Sequence, residues 1–558
     1  MNIDFSKIHS YTDGKAGFMV GLFEEMNLGS VFDKYLTKQG GRPCEIPYGI
    51  LAQMMLVNMA DDYHPLSRLA DYYAEKDIGS LFGSQISLNQ LNDDRFGGFL
   101  DQMHEAGPEV IFSEISSNAF IRYGITVKNI NFDTTSKIMW GNYKTEEGTE
   151  GVIHIDYGYS KQKRGDKKQI KISLGTGNGI VVDGQILSGN LDDKTYNKDN
   201  LDRIRDMLKR LGTEKEDFYY IADSAAFSKE CLEKANKLGI HMITRMCDNI
   251  KVAKVALAKA SQSFDGFTLI EIEKAKGTSR YHLKEDTCTY QGIALKMAIC
   301  YSEELVPSKE KSMNRWIEKE YAVLGNIAKS VASRQFACLA DAQIEREKIL
   351  KKDLKKLKYH QVDVTIESKS VNPQGRPFLN SEKNIAKIVY SLTVHIQADI
   401  EGIKAKKKES CIFVLCCTDL KLSGEEILRE YKTQSSVEKK FQQLKSPQFV
   451  NSLYVESPER VEALGYLMLI CLMVLSVAEH VVRRGLKEDN DFIIGPGNVK
   501  MKKPSLHAIY SVFQAVKTVK VMIGREEHRG LSQPLKENVQ KIMKYLGIPQ
   551  NIFIRGTG

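Results

Sequence analysis

The order of elements between Val127 and Met246 constrains this chain more than any other feature. VKNINFDTT (127–135) has the composition of a short strand that ends in an acid, Asp133. QIKISLGTGNGIVVDGQILSG (169–189) reads as two strands folded about the glycine turn TGNG. NLDRIRDMLKRLG is an amphipathic helix that stops on Gly212, and FYYIADS is a buried strand ending in a second acid, Asp223. SKECLEKANKLG is a helix with Ser228 as N-cap and Gly239 as C-cap, and HMITRM is a further strand. The order β-β-β-α-β-α-β excludes an all-helical or all-β layout and predicts an α/β sheet with crossover helices. In such sheets sites form in the crevice at strand ends, so Asp133 and Asp223 are predicted to point into one hollow.

At 558 residues the chain is too long for one core, and its flanks read differently. Residues 1–125 show apolar residues at helical spacing only (GFMVGLFEEMNL, ILAQMMLVNMA, LSRLADYYAEKDIGSLF), with Pro47, Pro65 and Pro108 placed like first-turn prolines. Residues 248–420 mix strand-like pieces (TLIEIEKA, ALKMAICYS, SLTVHIQADI, CIFVLCCT) with a basic helix at 344–358, which predicts an inserted domain rich in β structure. From 421 the pattern returns to helices, and 486–558 reads as a basic helical C-terminal region.

Net charge is +8, unevenly placed. Val499–Gly558 holds eleven Lys and Arg against three acids, an excess equal to that of the whole chain. KQKRGDKKQIK (161–171) adds six cations to one Asp, and 344–358 seven cations to three acids. Three basic clusters favour a polyanionic partner over three solvated faces. The ten cysteines form no C-x-x-C pair, which argues against a zinc ribbon or a disulfide framework and predicts reduced, buried thiols. The sixteen uncharged residues Ala463–Ala478 fall short of the ~20 that a membrane span needs, and Glu479, His480, Arg483 and Arg484 follow at once. A buried core helix is predicted there, in a soluble cytoplasmic protein without a signal peptide.

The third acid comes from a helix that opens at SGEE. Ser423 and Glu426 form a capping box, and one continuous helix is predicted through ILREYKTQSSVEKKFQQLK. At ~100° per residue, Tyr431, Gln434, Glu438 and Lys445 share one polar stripe beside an apolar seam of Val437, Phe441 and Leu444. The seam can dock on a sheet and leave Glu438 at its edge.

These residues resemble a known family. Y-x2-Q-x3-E-x6-K at 431–445 is similar to the Y-x2-R-x3-E-x6-K signature of DDE transposases of bacterial insertion sequences, with Gln434 where the signature has Arg. INFDTTS, IVVDGQILSGNLDDKT, YYIADSAAFS and HMITRM resemble the other blocks of that group, in the same order. Asp133 and Asp223 lie 90 residues apart, and Glu438 follows 215 residues later, room for the β-rich insertion these enzymes carry. The resemblance implies a ribonuclease H-like core made of 126–247 and 421–485, interrupted by the insertion at 248–420 and preceded by a DNA-binding region at 1–125. It implies that Asp133, Asp223 and Glu438 are the catalytic acids, holding two Mg²⁺ ions that Mn²⁺ can replace. Tyr431, Gln434 and Lys445 are then DNA contacts. The partners implied are double-stranded DNA, both the element's terminal inverted repeats and the target, and a second copy of the chain on that DNA, with no membrane. Hard oxygen ligands suit Mg²⁺, and two such ions suit in-line phosphoryl transfer. The competing readings are a repair-type nuclease and a domesticated DNA-binding protein on the same core.

Outside this set, His154 beside Asp156 reads as part of a β edge or of a loop near DNA rather than a metal site, Trp316 as a structural tryptophan, and Cys416 and Cys417 as core.

Overall fold

The computed structural model describes residues 8–37, 45–61, 63–83, 86–141, 143, 151–212, 218–274, 277–352, 354, 357–371, 387–446, 453, 455–523 and 526–556. Strand β1 (Ile8–Tyr11) precedes a run of helices that ends with Pro108–Tyr123. The central segment follows the predicted order: β2 (Asn129–Ile138), β3 (Gln169–Gly177), β4 (Ile180–Ser188), the helix Asp193–Leu211, β5 (Tyr219–Ala222), the helix Lys229–Leu238 and β6 (His241–Arg245). Ser228 caps its helix by accepting from the Cys231 amide at 3.2 Å. The β3–β4 turn places Asn178 at φ 54° and Gly179 at φ 79°, the left-handed pair that a two-residue hairpin requires.

After the helix Lys251–Gln262 come β7 (Thr268–Glu273), β8 (Thr278–Tyr290) and β9 (Ile293–Ser302). The helix Val306–Ala332, β10 (Gln335–Phe336), the helix Leu339–Lys352, β11 (His360–Val371) and β12 (Lys387–Ala398) follow, and the chain returns through β13 (Ile412–Cys417). One nine-stranded sheet has the order β4-β3-β2-β5-β6-β13-β9-β8-β7. The β2–β5 and β5–β6 pairs are parallel and all its other pairs antiparallel.

Three expectations about the flanks need correction. The segment 248–420 is not one inserted domain: β7, β8, β9 and β13 extend the main sheet, where Tyr281, Leu283, Ala298, Cys300, Phe413 and Leu415 share a core. Only 306–398 gathers round its own smaller core of Leu324, Val331, Ile349, Val364 and Leu392, and its longest element is a helix. Alternation identified those strands but carries no information about which sheet receives them. Cys416 and Cys417 are core residues of β13, and the nine described cysteines are all free.

Second, the C-terminal region is not wholly helical. Beyond β14 (Ile493–Ile494) and β15 (Lys500–Met501), β16 (Thr518–Ile523) and β17 (Glu526–Leu531) form a hairpin, and β1 pairs with β16. The two ends of the chain therefore pack as one body. Phe18 stacks on Phe513 at 4.2 Å, and Arg529 pairs with Asp77 at 2.8 Å with both side chains over nine-tenths buried. Third, several cations of the C-terminal excess are paired with acids: besides the buried Arg529, Lys520 pairs with Glu527, Lys541 with Asp491 and Arg555 with Glu24.

The helix Pro458–Glu488 is long and apolar enough to cross a membrane, yet 94% of its apolar window is buried inside the protein. It lies against β4 and against the helices Asp93–Glu105 and Pro108–Tyr123. Ser476 accepts from the Val181 amide at 3.0 Å, which fixes its register on the sheet.

Candidate active site

The two strand acids owe their meeting to register. Phe132 pairs with Ala222 in the last rung of the parallel β2–β5 ladder. Asp133 and Asp223 are the next residue on each strand. Asp133 is not at a strand end as predicted, since β2 runs on to Ile138 and pairs with β3 as far as Gln169. It is β5 that stops: Asp223 takes the backbone out of the sheet and caps the short turn Ser224–Ala226, its Oδ1 accepting from the Ala225 amide at 2.9 Å. The crevice opens beside the continuing edge of β2.

Alternation decides which way the acids face. Phe132 stacks on Tyr220 at 4.5 Å, and the Tyr220 hydroxyl donates to Asn197 of the helix Asp193–Leu211 at 2.8 Å. Asp133 and Asp223 are an odd number of residues from those rings and so belong to the opposite face. That face is covered by residues 424–444. Ile221 shares a core with Ile427 and Leu428, Asn131 donates to Thr433 Oγ1 at 2.8 Å, and the Lys445 ammonium donates to Thr135 Oγ1 at 2.6 Å. Asn131, Asp133 and Thr135 alternate along one face, so the covering segment is anchored on either side of Asp133.

The covering segment is not one helix. The capping box is present, with Ser423 Oγ accepting from the Glu426 amide at 3.2 Å and Glu426 accepting from the Ser423 amide at 2.9 Å. The helix Gly424–Lys432 then gives way to a second, Ser435–Leu444. At the joint the amides of Thr433, Gln434, Ser436 and Val437 each bond three residues back. The Thr433 hydroxyl also donates to the Glu430 carbonyl at 2.6 Å, a local bond that competes with regular helix. Such a 3₁₀ stretch turns ~120° per residue and eclipses i with i+3, which brings Gln434 under Tyr431 instead of ~60° aside. The predicted seam holds: Val437, Phe441 and Leu444 are buried.

The site is electrostatically crowded. Lys161 donates to Asp133 Oδ1 at 2.9 Å and to the Thr134 carbonyl on the edge that β5 vacates. Its charge also reaches Asp193 and Asp223. Burial, with help from the charges of Asp133 and Asp193, raises the Asp223 carboxyl above the usual range, while the Ala225 amide and Lys161 oppose the rise. Burial and the two acids raise the Tyr431 hydroxyl, so it stays a neutral donor. Burial and the Lys161 charge lower the Lys445 ammonium. Burial, with the nearby Lys445, brings Lys137 down to about 8.

The structure thus brings Asp133, Asp223, Tyr431 and Lys445 together. Glu438 lies between Thr433 and Lys445, exposed on the covering helix. Gln434 is half-buried at the joint. Among the described residues no group of three or more His, Cys, Asp or Glu converges on a metal position. The paired carboxylates nevertheless fit a divalent ion: two hard oxygen donors repel each other across adjacent strands, and a cationic ammonium already bonds one of them.

Sequence reasoning missed Lys161, Thr134, Thr135, Lys137, Lys171 and Asp193. Period-2 alternation of Asp133, Thr135 and Lys137 was a usable signal for two of these. The 161–171 cluster signalled charge without showing that several of its cations have partners within the chain. Lys171 bonds Asp193 at 2.9 Å, Asp193 accepts from Thr134 Oγ1 at 2.8 Å, Arg164 pairs with Asp166, and Lys167 lies over Trp140. Asp156 forms an isolated bridge with Gln169, in keeping with its reading as a β edge.

A family model described as a transposase DDE domain matches residues 142–474, and one described as a domain of unknown function matches 11–117. Asp223 and Glu438 lie inside the first span and Asp133 just before it. No curated protein matches the chain. Among solved structures, a piggyBac transposase synaptic complex with hairpin DNA is 11% identical, with 89% of this chain and 79% of that chain covered, at a TM-score of 0.38. A Mos1 transposase paired-end complex with the left transposon end is 11% identical over 37% of this chain and 60% of its own, and a Mos1 mariner paired-end complex with Mn is 13% identical over 40% and 65%. Both have a TM-score of 0.15. Likenesses this weak carry no argument, and the fold rests on the chain's own register and packing.

Proposed function

The chain belongs to the transposase DDE-domain family, and on that premise we propose that it cleaves DNA at the ends of an insertion sequence and joins those ends to target DNA. The observation that carries the reading is the pair Asp133 and Asp223, one residue past the last rung of adjacent parallel strands and turned to the same face. In this reading β2–β6 with residues 412–485 form a ribonuclease H-like core, and 306–398 is the body inserted into it. The packed terminal regions contribute DNA contacts, and two copies act together on a pair of DNA ends.

Asp133 and Asp223, with Glu438 from the covering helix, would hold Mg²⁺ or Mn²⁺. A bound pair of such ions supplies an activated oxygen nucleophile and charge stabilisation for an in-line displacement at phosphorus. The residues' own work is positioning. Lys445, tethered to Thr135, holds a positive charge beside the acids, where a phosphate must sit. Tyr431 offers one neutral O–H donor on the same side. Lys161, bonded to Asp133 Oδ1 at 2.9 Å, offsets part of the negative charge of the acid pair and holds the Asp133 side chain in place.

The test is strand cleavage by the full-length protein in Mg²⁺, on a duplex carrying the inverted repeats that flank its gene. Asp133→Asn, Asp223→Asn and Glu438→Gln should each abolish cleavage and leave end binding largely intact, because affinity rests on many phosphate contacts. Undiminished cleavage by any one of them would remove that acid from the site; undiminished cleavage by all three would overturn the reading.

A further inference from the structure

We propose that a basic cavity beside the C-terminal half of the helix Pro458–Glu488 is a phosphate-binding site, and that it holds the backbone of a DNA strand outside the acidic hollow. The cavity, about 510 Å³, opens between that helix, the β3–β4 turn and the segment that follows β15. Arg483, Arg484, Lys487, Lys502 and Lys503 line it, and the one carboxylate among its described lining residues is Glu479. Glu479 is already neutralised: it accepts from Lys440 at 3.0 Å and from Arg483 at 2.7 Å, with about 13% of its side chain exposed. Four positive charges are left facing the space.

Among the described residues those charges have no acidic partners. Arg484 donates one N–H to the Tyr123 carbonyl, and Lys502 donates to the Asn490 side-chain oxygen. Among the described residues no acid pairs with Lys487 or Lys503, and both are exposed at the rim. Elsewhere in the C-terminal region Lys520, Arg529, Lys541 and Arg555 pair with acids, and Lys500, Lys517, Lys536 and Lys544 are exposed but do not line this cavity, so the cavity is where cations free of acids gather in one concave space. Cations gathered in a concave space focus a positive potential and select anions, phosphate above all when arginine forks are among them.

Two features favour a nucleic-acid backbone over a free nucleotide. The described lining residues include no Phe, Tyr or Trp on which a base could stack, and His480, which does line it, is engaged with the Asn178 backbone. Contacts made wholly by cations and backbone are the kind that position DNA without reading it. The cavity is also coupled to the catalytic layer, since Lys440 lies on the helix that carries Glu438. The identity of the strand rests on the function proposed above, whereas the anion site rests on the cavity alone.

The experiment measures affinity of the full-length protein for a duplex of arbitrary sequence across a salt series. Lys487→Gln/Lys503→Gln should lower the slope of log K against log salt by about 0.9 for each phosphate released. Lys517→Gln/Lys536→Gln, the same charge change in the same region but off the cavity, should leave it unchanged. Equal loss in both pairs, or none in either, overturns the proposal. Inorganic pyrophosphate titrated by calorimetry supplies the second arm. Competition between pyrophosphate and duplex supports the site; pyrophosphate binding that the lysine pair abolishes while the duplex slope stays fixed overturns the DNA assignment. A lowered slope in a chain that cuts no DNA would retain the cavity and refute the transposase reading instead.

Discussion

Replacing Arg529 by methionine should loosen the junction of the chain's two ends far more than a surface change would. The guanidinium lies at 2.8 Å from Asp77 Oδ2, it reaches Oδ1 at 3.4 Å, and it donates to the Arg555 carbonyl at 3.0 Å. The Arg529 and Asp77 side chains are only 8% and 6% exposed. Asp77 also caps the helix Ile78–Phe82, and its own amide donates to the buried carboxylate of Asp13. Methionine keeps much of the volume but leaves Asp77 as a buried charge with a second acid beside it. Breaking a buried pair by removing one partner costs about 3–5 kcal/mol. At ~1.4 kcal/mol per decade, that is a two- to nearly four-decade rise in the opening constant of β1, β16 and β17. Hydrogen exchange of those amides in the full-length protein reads the change directly, without assuming that so large a chain unfolds in two states. Asp77→Asn in the Arg529→Met background removes the stranded charge and should recover more than half of the loss. Less than tenfold acceleration in the single variant, or a double variant no better than the single, would refute the argument from buried charge.

Two further outcomes follow from the same geometry. Burial raises Asp13 to about 6, against hydrogen bonds from Thr518 and the Asp77 amide and the charge of Lys76. Its folded pKa exceeds its unfolded one, so its contribution is fully present below about pH 4 and is lost as pH rises through about 6. The loss is ~3 kcal/mol at most, and the opening free energy of β1 and β16, read by hydrogen exchange between pH 4.5 and 7, should lose that part of its pH dependence in Asp13→Asn. At the helix joint, Gln434→Arg should preserve or raise strand cleavage at fixed salt, since a charged donor pair toward phosphate is roughly twice as strong as a neutral amide. Abolished cleavage in a folded Gln434→Arg protein would mean that the joint turns residue 434 away from the DNA.

The central α/β order was legible because each of its signals is local. Gly212 and Gly239 stop helices, Ser228 starts one, and Asn178–Gly179 can hardly be anything but a hairpin turn. What sequence could not supply was partnership between distant segments. TLIEIEKA and CIFVLCCT announce strands, but only the strand pairing, with Ile270 and Leu415 in one shared core, assigns both to the main sheet. Nothing in IHSY signals pairing with TVKVMI more than five hundred residues away. The charge count could not place its cations for a related reason. A cation on the page looks the same whether it faces solvent or, as with Lys161, Lys171 and Arg529, an acid inside the fold.

The site divides along the same line. Asp223 could be named from a strand ending and Asp133 from the acid within its strand pattern, although β2 runs on past it, and the ladder between β2 and β5 then fixes their neighbourhood. Glu438 was reached through an angular argument that assumed an unbroken helix. TQSS breaks it, because a threonine hydroxyl and three small or polar neighbours offer the backbone local bonds that an apolar stretch would not. The apolar seam survives the break, since Val437, Phe441 and Leu444 all lie beyond it and bury regardless of how the first helix enters. The polar stripe does not survive intact, because Tyr431 lies before the joint and Glu438 after it. Burial enforces a seam from within one helix, whereas a stripe of polar side chains has only the rotation between residues to keep it aligned. A few 3₁₀ bonds are enough to change that rotation.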